Sequence, residues 1–146
     1  MKYTATIEIP KGCDRRIHLS YDRVNFIDLG PIKDQIPIND GVMPVHYGYI
    51  NNTLNKDEGD EVDVIIFSKN IYKTKDQVEI EIIGMMTRED NDHKVIAYDK
   101  SENESVFKDL DERERKLILD YFGYKSPIIS IDDKEKTIEY INQSQI

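Results

Sequence analysis

Apolar and polar positions alternate over residues 3–9, YTATIEI, and predict a strand ended by Pro10. Ile7 and Ile9 fall on one face of that strand. Glu8 falls on the other beside Thr6, which reads as an exposed-face position. Residues 15–21, RRIHLSY, read as a second strand, and FIDL as a short one inside the loop-rich stretch from Asp22 to Asp40. Further strands are predicted over 62–67, over 78–86 with Glu79 and Glu81 facing water, and over 94–98, KVIAY. In FKDLDERERKLILDYFG the apolar positions Leu110, Leu117, Ile118, Tyr121 and Phe122 recur at helical spacing. Asp109 or Asp111 is a candidate N-cap there, and Gly123 a C′ stop. Residues 128–131 read as a short strand, and Asp132 or Asp133 caps a last short helix ending near Ile141. Many short strands followed by helices imply an α+β domain built on a closed or nearly closed antiparallel barrel.

Length and composition narrow the class. The chain has 146 residues, which predicts one domain over 1–146 with its own core. Its net charge of -9 argues against nucleic acid or an anionic membrane as the main partner. It leaves room for an anionic substrate, because a bound cation inverts the local field. The one cysteine, Cys13, has no intramolecular partner, and the opening MKYTATIEIP reads as neither leader nor membrane span. The expected setting is cytoplasmic.

Charge density singles out one stretch. Asp57, Glu58, Asp60, Glu61 and Asp63 crowd into seven residues around Gly59, with no basic residue among them. Like charges this close raise one another's pKa unless a cation intervenes. Turn chemistry accounts for the acids before the strand, and a solvated turn is the bland reading. It does not account for Asp63, which lies inside the strand run, where an unpaired carboxylate is costly. A hard divalent cation taking oxygen ligands removes both difficulties.

HYGYINNTL followed by EGDEVDV resembles the signature of the family I, soluble inorganic pyrophosphatases. The likeness runs from TIEIPKG to IDDKEKTIEYI and is most specific between Pro44 and Lys94. It implies a five-stranded OB-like antiparallel barrel flanked by two helices. It also implies Mg²⁺-dependent hydrolysis of pyrophosphate to two phosphates, with Mn²⁺ as a possible substitute, and a homo-oligomer that in bacteria is a hexamer. Carried over residue by residue, it implies that Asp63 bridges two metals, with Glu58, Asp92 and Glu8 as further metal ligands. Asp60 is then the base that orients or deprotonates the attacking water, and Tyr47 the active-site tyrosine. Arg16, Lys94 and the Tyr124-Lys125 pair bind the substrate's phosphates. Read without the resemblance, Tyr47 and Tyr49 are core or barrel residues, and Tyr124-Lys125 is a helix end.

The chain departs from the pattern in places. Glu58 stands where an aspartate is usual, Glu61 where a proline is, and His18 where a glutamate is. The loop from Arg88 to Asp92 is about two residues short, so the carboxylate at its start must come from Glu89, taken here as the metal ligand, or Asp90. The arginine that grips the departing phosphate falls on Gln35, with Lys33 and Arg23 as candidate substitutes. On that reading Gln35→Arg restores the fork and raises activity. His46 and His93 receive no role. Two other functions stay open: hydrolysis of another phosphoanhydride, such as a nucleotide, and a non-catalytic barrel that binds a partner.

Overall fold

In the computed structural model, which describes residues 2–55 and 59–146, the chain runs β1 (Tyr3–Ile9), β2 (Arg15–Leu19), β3 (Phe26–Pro31), β4 (His46–Ile50), β5 (Asp63–Phe67), β6 (Gln77–Arg88) and β7 (Lys94–Asp99). Then follow α1 (Ser105–Lys108), α2 (Glu112–Phe122), β8 (Ile128–Asp132) and α3 (Lys134–Ser144). Strands pair in the order β1-β4-β5-β7-β6, and β6 returns to β1, so five strands close a barrel. β8 lies further along the same edge of β6 that meets β1, opposite β7, and β2 and β3 form a separate hairpin. The α+β barrel expected from the pattern is therefore present, with one difference of detail. β7 folds back from β6 and inserts beside β5, so the β5–β7 pair is parallel and the barrel is mixed. Three helices accompany it rather than two, because a single turn, α1, forms in the polar loop ahead of the predicted helix, which is α2.

The aromatic run HYGYI is itself a barrel strand, β4. Its glycine is a spacing requirement, since a Cβ on Gly48 would lie 1.9 Å from the Thr6 carbonyl oxygen of β1. Both faces of the wall are apolar, which is why DVIIF and KVIAYD read as nearly unbroken hydrophobic runs. One face gathers Ile7, Val64, Ile66, Val95 and Ile141 of α3. The opposite face gathers Tyr47, Ile65, Met86 and Ile96 with Ile118, Tyr121 and Phe122 of α2.

Helix starts follow capping chemistry. Asp111 accepts from Glu114 N–H at 2.8 Å, and Asp133 from Lys136 N–H at 2.9 Å, so each takes the cap position from its neighbouring aspartate. α3 continues past Ile141 to Ser144. Gly123 does end α2, but in right-handed backbone with φ -88° rather than a left-handed turn. A Cβ there would meet the Leu119 carbonyl oxygen at 2.9 Å, so space selects the glycine.

Candidate active site

Strand register sets out a row of reactive side chains. β4 pairs Tyr49 with Asp63, and β5 pairs Asp63 with Lys94. Directly paired residues project to one face, so tyrosine, carboxylate and ammonium stand side by side. Lys94 Nζ donates to Asp63 Oδ2 at 2.7 Å, to Tyr47 Oη at 2.9 Å and to Asp92 Oδ2 at 3.2 Å. Its side chain is only 6% exposed. Burial alone would depress the ammonium pKa, but Asp63 and Asp92 outweigh it and hold the group above its ordinary value.

Around this row lie two cavities. The acidic one, of about 180 Å³, is lined by Glu8, Asp60, Glu61, Asp63 and Asp92 with the two tyrosines. The basic one, of about 280 Å³, is lined by Arg16, Arg88, Lys94 and Lys125 over an apolar floor that includes Tyr121 and Phe122. Tyr47, Asp92 and His18 border both. Acids from β1, from the turn before β5, from β5 and from the β6–β7 loop thus meet at one place.

Glu8 is buried, at 5% exposure, and not on an exposed face. A register irregularity between Ile7 and Ile9 interrupts β1's pairing with β4 beside it, and its carboxylate accepts from Leu19 N–H at 2.8 Å. Gly59, at φ +75°, lets the chain turn back so that Asp60 and Asp63 border the same cavity. Asp60 is exposed as a residue, yet its carboxyl is pushed up to about 6, first by desolvation and then by Asp63, Asp92 and Glu61. Its folded value exceeds the unfolded one, so its charge weakens the fold above about pH 6, and that penalty fades as pH falls. Desolvation also raises Asp92. Tyr47 stays a phenol, held well above its usual pKa by burial and the nearby carboxylates.

Other expected residues stand differently. Glu89 is exposed and lines neither cavity; Asp90 lines the basic one. Tyr124 is 52% exposed and also lines neither. Glu58 lies outside the described residues. Lys125 Nζ donates to Gln35 Oε1 at 2.6 Å, so an arginine at 35 would meet an ammonium and deprive it of its acceptor. The gain expected from Gln35→Arg therefore does not follow. Lys33 is paired with Asp40 at 2.6 Å and lines neither cavity, and Arg23 pairs with Glu61 at 3.2 Å on the acidic side. Both histidines left without a role are structural. His46 accepts from Lys11 N–H and donates to the Asn70 carbonyl, each at 3.0 Å, and His93 Nδ1 accepts from Arg88 N–H at 2.9 Å. Sequence reasoning passed over Arg88, because nothing in a β-strand ending in arginine distinguishes a buried terminus from an exposed one.

Among the described residues no three histidine, cysteine, aspartate or glutamate side chains are grouped so as to hold a metal ion as they stand. Lys94 Nζ stands between Asp63 and Asp92, where a cation would otherwise be needed. The donor set still fits a hard divalent cation in its chemistry: all oxygen and carboxylate-rich, with Asp60 raised first by desolvation and then by its acidic neighbours.

A closed OB-like barrel whose acidic and basic cavities share Tyr47, Asp92 and His18 sets the class: a small α+β barrel domain. The inorganic pyrophosphatase family model matches residues 5–145, and the chain belongs to that family, in its family I form. The inorganic pyrophosphatase of Buchnera aphidicola subsp. Schizaphis graminum is 30% identical over 132 residues, covering 76% of this chain and 71% of that one. The inorganic pyrophosphatase of Buchnera aphidicola subsp. Acyrthosiphon pisum is 34% identical over 108 residues, 67% of this chain and 56% of that one. Among solved structures, the inorganic pyrophosphatase of Ehrlichia chaffeensis superposes with a TM-score of 0.81 at 18% identity, covering 97% of this chain and 91% of that one. That of Helicobacter pylori gives 0.80 at 22% identity, with 98% and 91% covered. Among the described residues no helix is long and apolar enough to cross a membrane.

Proposed function

We propose that this protein hydrolyses inorganic pyrophosphate to two phosphates, using Mg²⁺ or, in its place, Mn²⁺. The observation that carries the reading is the shared wall: Tyr47 and Asp92 border an acidic cavity on one side and a basic cavity on the other. Asp63, Asp92 and Glu8 are the described residues that would hold the cations. Divalent ions supply a hydroxide nucleophile at neutral pH and neutralise phosphate oxygens. The chain does the rest. Arg16, Lys94 and Lys125 draw the substrate's oxyanions, with Lys94 also bracing Asp63 and Tyr47. Asp60, with its raised pKa, accepts a proton from the attacking water, since a base titrating near the working pH transfers protons best. Tyr47, kept protonated, offers its hydroxyl as a donor, and the floor of Tyr121 and Phe122 limits water. We place the protein in the cytoplasm as a homo-oligomer, a hexamer by family analogy. The exposed Ile129 and Ile131 of β8, at 68% and 54%, give an apolar edge that assembly would cover.

Phosphate release from pyrophosphate, ATP and ADP, measured with Mg²⁺ and with EDTA, tests the proposal. Pyrophosphate should be the preferred substrate, and EDTA should abolish release. Turnover of a nucleotide alone would support the second reading, to which Gln35 and the short Arg88–Asp92 loop lend weight. No metal-dependent release from any substrate would defeat both.

A further inference from the structure

The geometry points to Arg88 as the residue whose guanidinium fork grips a phosphate group in the basic cavity. In naming the substrate as pyrophosphate this rests on the proposed function; as a claim about phosphate binding it does not.

Arg88 ends β6. A register irregularity between Ile82 and Gly84 shifts the strand's alternation, so that Met85 joins one apolar cluster and Met86 the other. Arg88 follows Met86 by two residues, shares its face, and reaches the cavity on that side. Its side chain is only 8% exposed. A guanidinium so buried ordinarily has each donor matched, because an unmet buried donor is unfavourable.

Here one edge is met and the other is not. Nη1 donates to the Asp92 carbonyl at 3.1 Å. Nε has no hydrogen-bond partner, the one such buried side-chain atom among the described residues. Nη2 stands 3.7 Å from Asp90 Oδ2, and Nη1 3.8 Å from Asp92 Oδ2, both beyond hydrogen-bond reach. If Arg88 only neutralised those aspartates, their carboxylates would close on it as Asp63 closes on Lys94 at 2.7 Å. The Nε–Nη2 edge instead matches two oxygens of one phosphate, the planar bidentate pairing that arginine makes and lysine does not. Arg16 lines the same cavity but is partly exposed and donates to the Leu29 carbonyl at 3.4 Å, so it shares the charge without the buried, unmet edge; Arg23, on the acidic side, is held by Glu61 and the Gly59 carbonyl.

Calorimetric titration of the full chain with inorganic phosphate in EDTA tests the assignment on wild type, Arg88→Lys and Arg88→Gln. Both variants should bind phosphate about 10- to 100-fold more weakly, the lysine included, because it keeps the charge and loses the fork. In Mg²⁺ the KM for pyrophosphate should rise by a similar factor while kcat moves little. Wild-type affinity in either folded variant, or no phosphate binding by wild type, overturns the proposal. Should the variants unfold, the Nε–H resonance of Arg88 in the wild-type chain decides: it should shift saturably as phosphate is added, and a static resonance refutes the contact. If phosphate binding depends on Arg88 but pyrophosphate is not cleaved, the proposed function fails and this inference stands. Cleavage indifferent to Arg88 gives the reverse.

Discussion

Asp60→Asn should lower the rate of phosphate release from pyrophosphate by about 10²- to 10⁴-fold, the usual worth of a positioned proton acceptor. The same substitution should leave the metal-free fold as stable as wild type at pH 7, or more so. Asp60 is exposed, and its carboxyl is pushed up to about 6 by desolvation and by Asp63, Asp92 and Glu61. A neutral isostere removes that repulsion without leaving a cavity. Steady-state kinetics beside thermal unfolding in EDTA check both halves. A loss of activity accompanied by a lower Tm would mean that Asp60 supports the fold rather than the chemistry. Undiminished activity would remove it from the reaction.

The largest effect on stability should come from Lys94→Met. Its ammonium is hydrogen-bonded to Asp63, Asp92 and Tyr47 inside the wall. Taking away one partner of a buried ion pair costs about 3–5 kcal/mol. Asp63 and Asp92 retain 15% and 29% side-chain exposure, so about 2–4 kcal/mol is expected here from denaturant unfolding in EDTA. Millimolar Mg²⁺ should restore part of that loss, and should stabilise this variant more than wild type, because the two stranded carboxylates are then the best-placed ligands. Equal stabilisation of both proteins would mean that the ion and the ammonium do not serve the same carboxylates.

Much of this was legible in the residues. Alternation marked β1 and β6, unbroken apolar runs marked β5 and β7, and paired aspartates marked the starts of both main helices. Asp63 stood out because a carboxylate inside a strand needs a reason, and it does border the acidic cavity. What stayed hidden depended on irregular pairing and on long-range contacts. The interruption beside Glu8 and the irregularity at Ile82–Gly84 each change what a side chain meets, and period-two reasoning has no means to see them. Glu89 and Asp90 are equivalent as letters, and only the turn of the short loop sends the second toward the cavity. Gln35 looked like a vacated site because its bond to Lys125 spans 90 residues of chain. The parallel β5–β7 pair was hidden for a similar reason: strand direction follows from topology, and local sequence does not encode it.

We propose that divalent cations join Lys94 in letting acids from separate parts of the chain coexist in one cavity. Anomalous diffraction from crystals grown with Mn²⁺ is the sharpest test. Manganese peaks are expected inside the cavity, in contact with the carboxylates of Asp63 and Asp92. Peaks confined to the outer surface, or none at saturating Mn²⁺, would contradict it.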